Sequence, residues 1–181
     1  MGDMTAANLR SAFGGESQAH IRYRIYADKA GKDGFPNVAR LFTAVSFAEW
    51  IHAQNHFREL RNVGGDFAVT SMAGFGLGST SDNLQIAIGG ETFEINEMYP
   101  AYLAVAEHQE EKRACRTFDW ALKAEMTHAE LYTKAKESVD AGKDPELDVI
   151  QVCGVCGHTL EGEAPEICPV CNAKNKYVAY P

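Results

Sequence analysis

Two hexapeptides in this 181-residue chain, "AEWIHA" at 48–53 and "AEMTHA" at 124–129, constrain its fold more than any other feature. Each sets a glutamate three residues before a histidine, Glu49 with His52 and Glu125 with His128. On an α-helix that spacing puts both side chains on one face. Each pair also follows a glutamate one helix earlier: Glu16 lies 33 residues before Glu49, and Glu94 lies 31 before Glu125. The stripes that carry them are otherwise largely apolar. Leu9, Phe13, Glu16, His20, Tyr23 and Ala27 recur at steps of four and three; Val38, Phe42, Val45, Glu49, His52 and His56 form a second stripe. Ala114, Phe118, Ala121, Glu125, His128, Tyr132, Ala135 and Val139 form another. Such a stripe faces a core. An unpaired carboxylate there costs several kcal/mol, against a total domain stability of ~5–15 kcal/mol. Bound cations remove that objection.

The helical spacing runs over residues 5–30, breaks at "GKDGFPN", and resumes in a second helix. A long glycine-rich connection follows from Gly64 to Gly90, the third helix begins near Gly90, and the fourth ends at "DAGKDP". Two hairpins joined by one long crossover predict an all-α four-helix bundle of the ferritin-like kind over 1–142. A linker follows at 143–150, and a small C-terminal unit occupies 151–181. In ferritin-like di-iron carboxylate proteins two helices each supply a Glu, and the other two each supply a Glu-x-x-His pair. Here these are Glu16, Glu94, Glu49 with His52, and Glu125 with His128.

The third helix holds "GETFEINEMYP", with glutamates at 91, 94 and 97. Pro100 predicts a kink or bulge just past them, because it cannot donate to the carbonyl of Asn96. Glu16, Glu49, Glu94 and Glu125 balance two ferrous ions, and oxidation to two ferric ions favours a fifth carboxylate. Glu97 is expected in that role, with Glu91 capping or beginning the helix away from metal. His20 and His56 are expected in structural roles, Tyr23 as a donor to a ligating carboxylate, and His108 and His158 at the surface.

"CGVCGHTLEGEAPEICPVC" sets Cys153 and Cys156 against Cys168 and Cys171 as two C-x-x-C turns. Four thiolates so spaced make a tetrahedral S4 site, for zinc or iron, in a knuckle too small to fold without its ion. The fifth cysteine, Cys115, reads as a small half-buried side chain.

A net charge of −8, with no basic block, argues against a nucleic-acid surface. No apolar run is long enough to span a bilayer, and "MGDMTAANLRSAF" lacks the apolar core of a signal peptide, so the cytoplasm is expected.

The segments "NLRSAFGGESQA", "FAEWIHAQNHF", "GETFEINEMYP" and "AEMTHAELY", followed by the cysteine unit with its "CPVC", resemble the rubrerythrin family over nearly the whole chain. The resemblance implies a diiron site of Glu16, Glu49, His52, Glu94, Glu97, Glu125 and His128, with Glu49 and Glu125 bridging. It implies that His52 and Glu97 alternate at one iron as the redox state changes, and that Cys153, Cys156, Cys168 and Cys171 hold one iron. The implied activity is reduction of hydrogen peroxide to water. Electrons would come from NAD(P)H through a reductase, a rubredoxin or similar carrier, and the four-cysteine iron. It further implies a homodimer in which one subunit's rubredoxin-like unit approaches the other's diiron site. A ferroxidase of the ferritin-like kind is the alternative, which leaves the cysteine unit unexplained. The chain departs from the family pattern at His20 and in the glycine-free turn "EHQEEK".

Overall fold

A computed structural model describes the whole chain, Met1–Pro181. α1 (Asp3–Asp33) and α2 (Pro36–Glu59) form the first hairpin. Gly34 closes α1 in the left-handed conformation, φ 89°, with its N–H donating to Ala30 and Gly31 carbonyls, and Pro36 opens α2. The crossover then runs back along α1. It fits because of Gly14 and Gly15: a Cβ there would come within 2.9 Å of Val69 Cγ1 and 2.8 Å of Ser71 Oγ.

The third helix starts ten residues before Gly90. α3 (Thr80–Phe93) is opened by a capping box in which the Ser79 hydroxyl accepts from the Asp82 N–H and the Asp82 carboxylate accepts from the Ser79 N–H. Glu94–Met98 winds as a π-turn, and α4 (Tyr99–His108) completes the helix. The expected irregularity therefore exists, but it contains Glu94 and Glu97 rather than following them. Within it the Tyr99 N–H donates to the Glu94 carbonyl, an i to i+5 bond. In the turn without glycine, Glu110 itself takes a left-handed conformation, φ 58°. α5 (Lys112–Asp140) closes the bundle.

The core falls into two parts. Tyr23, Tyr26, Phe42 and Tyr132 stack at one end, with ring centroids 5.0–6.4 Å apart, inside a cluster that includes Ala19, Ala48, Ala87 and Leu131. Leu9, Tyr99 and Phe118 anchor the other end, with Ala12, Met98 and Ala121. On every helix the buried glutamate lies at the changeover: Glu16 between Ala12 and Ala19, Glu91 between Ala87 and Met98, Glu125 between Ala121 and Leu131. Glu49 follows Ala48 directly.

The C-terminal unit is a three-stranded antiparallel sheet in the order β2-β1-β3, from β1 (Ile150–Cys153), β2 (Thr159–Glu161) and β3 (Tyr177–Tyr180). Gln151 pairs with Leu160 on one side and Ala179 on the other. Ile150 and Val152 belong to the Tyr23–Phe42 core cluster, so this unit packs onto the bundle. No helix is long and apolar enough to cross a membrane. Because α3 is opened by the Ser79 hydroxyl, Ser79→Ala should lower the unfolding free energy by about 1 kcal/mol while leaving metal stoichiometry unchanged. Urea titration beside metal analysis checks both.

Candidate metal centres

The changeover layer gathers two quartets of donors. Glu16, Glu49, His52 and Glu125 form one; Glu49, Glu91, Glu125 and His128 form the other; all are buried, and within each the ligand atoms lie within 4.8 Å of one another. Glu49 and Glu125 belong to both. His52 Nδ1 stands 2.9 Å from Glu125 Oε1 and 3.0 Å from Glu49 Oε2. His128 Nδ1 stands 2.7 Å from Glu125 Oε2 and 3.3 Å from Glu49 Oε1. Oxygens of Glu16, Glu49 and Glu125 are buried without a hydrogen-bond donor. Orphaned buried carboxylate oxygens converging on two imidazoles are what a pair of divalent cations satisfies.

Neighbouring groups hold the donors in place. Tyr23 donates to Glu91 Oε1 at 2.6 Å, the role expected of it, and Tyr99 donates to Glu16. His56 Nε2 meets the Tyr99 hydroxyl at 3.0 Å and its Nδ1 meets Thr117 Oγ1 at 3.2 Å, so His56 supports the site through Tyr99. His20 turns away, its Nδ1 2.7 Å from the Ser46 carbonyl. The far nitrogen of His128, Nε2, bonds Thr159 Oγ1 at 2.9 Å, while Thr159 donates to the Gly157 carbonyl. Thr159 therefore accepts from Nε2–H and leaves Nδ1 as the free lone pair toward the carboxylates.

Three expectations are corrected, two of them for glutamates of the third helix. Glu91 is buried and belongs to a quartet, whereas Glu97 is exposed and belongs to neither. Three glutamates at steps of three drift by about 60° each on an α-helix, so all three cannot face inward. Leu84 and Ala87, fully buried, set the phase: steps of three and four lead from them to Glu91. Glu94 stands at the margin, half-buried, with its carboxyl near enough to Glu16, Glu125 and Glu49 to feel their charges. The Ser79–Asp82 box and the Leu84, Ala87, Glu91 steps were the legible signals for this phase. Likewise Glu91 lies 34 residues before Glu125, nearer the 33 of the first hairpin than Glu94 is. His158, expected at the surface, is buried and bonds the Tyr177 hydroxyl at 2.8 Å; His108 is exposed as expected.

In the C-terminal unit the four cysteines converge, with Cys153 and Cys171 sulfurs 3.7 Å apart and those of Cys156 and Cys168 3.6 Å apart. That is far beyond a disulfide. It matches the ~3.8 Å edge of a tetrahedron built on metal–sulfur bonds of about 2.3 Å. A hydrogen bond from Cys156 brings the Cys153 thiol down to about 5, which favours the thiolate form a metal requires.

Comparison with known proteins settles the family. The rubrerythrin family model matches residues 7–136, and the model of the rubrerythrin rubredoxin-like domain matches 151–177. The chain belongs to the rubrerythrin family. Rubrerythrin-2 of Clostridium acetobutylicum is 47% identical over 178 residues, covering 98% of this chain and 97% of that protein. Nigerythrin of Nitratidesulfovibrio vulgaris is 33% identical, over 97% of this chain and 86% of its own. The structure of nigerythrin in its fully reduced, all-ferrous state superposes with a TM-score of 0.86 at 33% identity, covering 99% of this chain and 88% of that one. Rubrerythrins carry a diiron site in the bundle and one iron on the rubredoxin-like cysteines, and both donor sets are present here.

Glu91→Ala should reduce bundle iron to about one ion per chain, while Glu97→Ala should retain two; iron analysis of the two variants decides between them. The metal-free site also sets a pH dependence. Burial and the charges of Glu125 and Glu16 push the Glu49 carboxyl from 4.5 up to about 7. Burial alone would lower the His128 imidazole, but Glu125 and Glu49 raise it from 6.5 to about 9. Burial, then the surrounding carboxylates, also raises Glu91 and Glu94. Burial lowers His56 and His158, which oppose these groups below the ordinary imidazole range. From pH 6.5 to about 9 the raised groups prevail and the metal-free fold binds more protons than the unfolded chain, so its stability falls as pH rises through that window. Calorimetry of the metal-free protein should show its melting temperature dropping from mildly acidic to alkaline pH. Loading with metal near neutral pH should release protons, read with an indicator dye.

Proposed function

We propose that this protein reduces hydrogen peroxide to water at the bundle site. Electrons arrive from NAD(P)H through a reductase, a rubredoxin or similar carrier, and the iron on the four cysteines. In this reading it works as a homodimer in the cytoplasm. The observation that carries it is the seating of the cysteine unit on the donors of the bundle, Thr159 on His128 and Gly157 against His52. A ferroxidase needs the bundle alone and leaves that contact without purpose.

Glu16 and His52 would hold one ion, Glu91 and His128 the other, and Glu49 and Glu125, shared by both quartets, would span the pair. Bound there, two ferrous ions supply both electrons that one peroxide requires, so no hydroxyl radical is released. The chain's own residues contribute part of the charge and one of the protons. Four buried carboxylates match two ferrous ions, and Glu94 is the fifth acid, taking the role expected of Glu97. Burial and the charges of Glu16 and Glu125 keep its carboxyl protonated. Peroxide reduction to two waters takes two protons with its two electrons. As positive charge grew at the site, the Glu94 carboxyl would give up one of them toward peroxide oxygen and become an additional anion, and solvent water would supply the other. Tyr99 and Tyr23 hold their protons on Glu16 and Glu91, fixing which carboxylate oxygens stay free.

Removing the whole C-terminal unit would strip Ile150 and Val152 from the bundle core, so a single ligand is the cleaner probe. Cys171→Ser, at the least buried of the four, should leave one equivalent of peroxide consumed at an undiminished rate by the chemically pre-reduced protein. Steady-state NADH consumption with a rubredoxin-reducing system should fall to background. Sustained NADH-driven turnover in that variant would show that the cysteine iron is not the relay. Iron oxidation by dioxygen that outpaces peroxide consumption would favour the ferroxidase.

A further inference from the structure

His158 is buried and Tyr177 half-buried in the cysteine unit, and neither belongs to the four-cysteine donor set. Tyr177 opens β3 and pairs with Cys153 of β1, while His158 immediately precedes β2 on the other side of β1. Their side chains meet across the end of that strand. His158 Nδ1 stands 2.8 Å from the Tyr177 hydroxyl, and the rings meet edge to face with centroids 6.2 Å apart. Both are held at the cysteines, since the Cys153 N–H donates to the His158 carbonyl at 2.8 Å and Tyr177 packs on Cys153, Cys156 and Cys168. The arrangement lies wholly within residues 153–177 and needs nothing from the bundle.

A phenol has one proton to give. If His158 Nδ1 is bare, that proton goes to the imidazole. If Nδ1 carries a proton, the phenol oxygen accepts it and the phenol's own proton is left for another acceptor. The Cys168 sulfur lies within hydrogen-bonding reach of the hydroxyl. Burial, then this contact and the charges of Cys168, Cys153 and Cys156, hold the phenol well above its ordinary range. The other sulfurs face backbone N–H groups: Val155 and Cys156 at Cys153, His158 at Cys156, and Ala173 at Cys171. Four thiolates around iron carry one net negative charge when it is ferric and two when it is ferrous. A hydrogen bond to sulfur strengthens with charge on its acceptor, so it favours the ferrous state.

We propose that Tyr177 raises the reduction potential of the iron on the four cysteines by donating its hydroxyl proton to the Cys168 sulfur, and that His158, donating from Nδ1, is the positioning residue that points it there. No proton changes owner in this step; one electron enters the centre and the O–H···S bond tightens around the added charge. The proposal requires iron on the cysteines, and holds whether or not that iron feeds the bundle site.

The test is a redox titration of the full-length, iron-loaded protein, followed by the visible thiolate band that bleaches on reduction. It uses neither peroxide nor NADH, so its failure leaves the relay reading standing. Tyr177→Phe keeps the ring and removes the hydroxyl. At the wild-type midpoint its ferrous-to-ferric ratio should fall about tenfold, a shift of about 59 mV for one electron. An unchanged or raised potential would overturn the proposal. His158→Leu removes the donor and should shift the potential the same way, whereas His158→Asn, which keeps an N–H near the Nδ1 position, should stay close to wild type. A rise in His158→Leu would show that Tyr177 gives its proton to the imidazole and not to sulfur. An unchanged potential there, or an equal fall in His158→Asn, would remove His158 from the positioning role. The double variant Tyr177→Phe, His158→Leu should fall no further than Tyr177→Phe alone, because both act through one bond. A full ferric band in each variant shows that the four cysteines still hold their iron.

Discussion

The structure depends on a layer of acid across the middle of an apolar bundle. Glu16, Glu49, Glu91 and Glu125 are essentially inaccessible to solvent, and the aromatic clusters above and below them do not merge. Without cations the layer works against folding: some carboxyls must stay protonated and both imidazoles must charge to keep it tolerable. With two divalent ions the same groups become ligands whose charges cancel. Metal binding and folding are therefore thermodynamically linked in this domain.

A second layer of residues turns a tolerable cluster into a defined one. Thr117, His56 and Tyr99 form a chain of hydroxyl and imidazole groups ending on Glu16, and Tyr23 fixes Glu91. Thr159 reaches from the sheet of the C-terminal unit to settle which nitrogen of His128 is free. The last contact matters most for function, because the orientation of a ligand in one metal site is set by the domain that carries the other. Docking and ligation are thus coupled through one hydroxyl.

Much of this was legible in the chain. Two Glu-x-x-His pairs on apolar stripes, each one helix after a lone glutamate, imply a dinuclear bundle site because no other arrangement makes buried acid affordable. Two C-x-x-C turns imply an S4 site because four sulfurs so spaced can close a tetrahedron. A helix begun at Gly90 has no upstream apolar residues to set its phase, so from that start Glu91 reads as a cap rather than a ligand. The earlier start was encoded in Ser79 and Asp82, a local hydrogen-bonding pattern that carries no hydrophobic signal.

By itself the sequence determined which residue types would be buried together and how many helices would carry them, since periodicity and charge cost are properties of each segment alone. Only the tertiary structure decided which of three equally spaced glutamates faces the site. The choice turns on the packing of Leu84 and Ala87 against α5 and on one π-turn, and spacing of three is consistent with any adjacent pair. It also decided where the cysteine unit rests. Arg40, Asn55 and Lys134 are ordinary surface residues of α2 and α5 until the backbone carbonyls and the Glu161 carboxylate they meet are brought to them. Those partners lie 100, 107 and 27 residues away, and nothing in a local stretch of chain records such a contact.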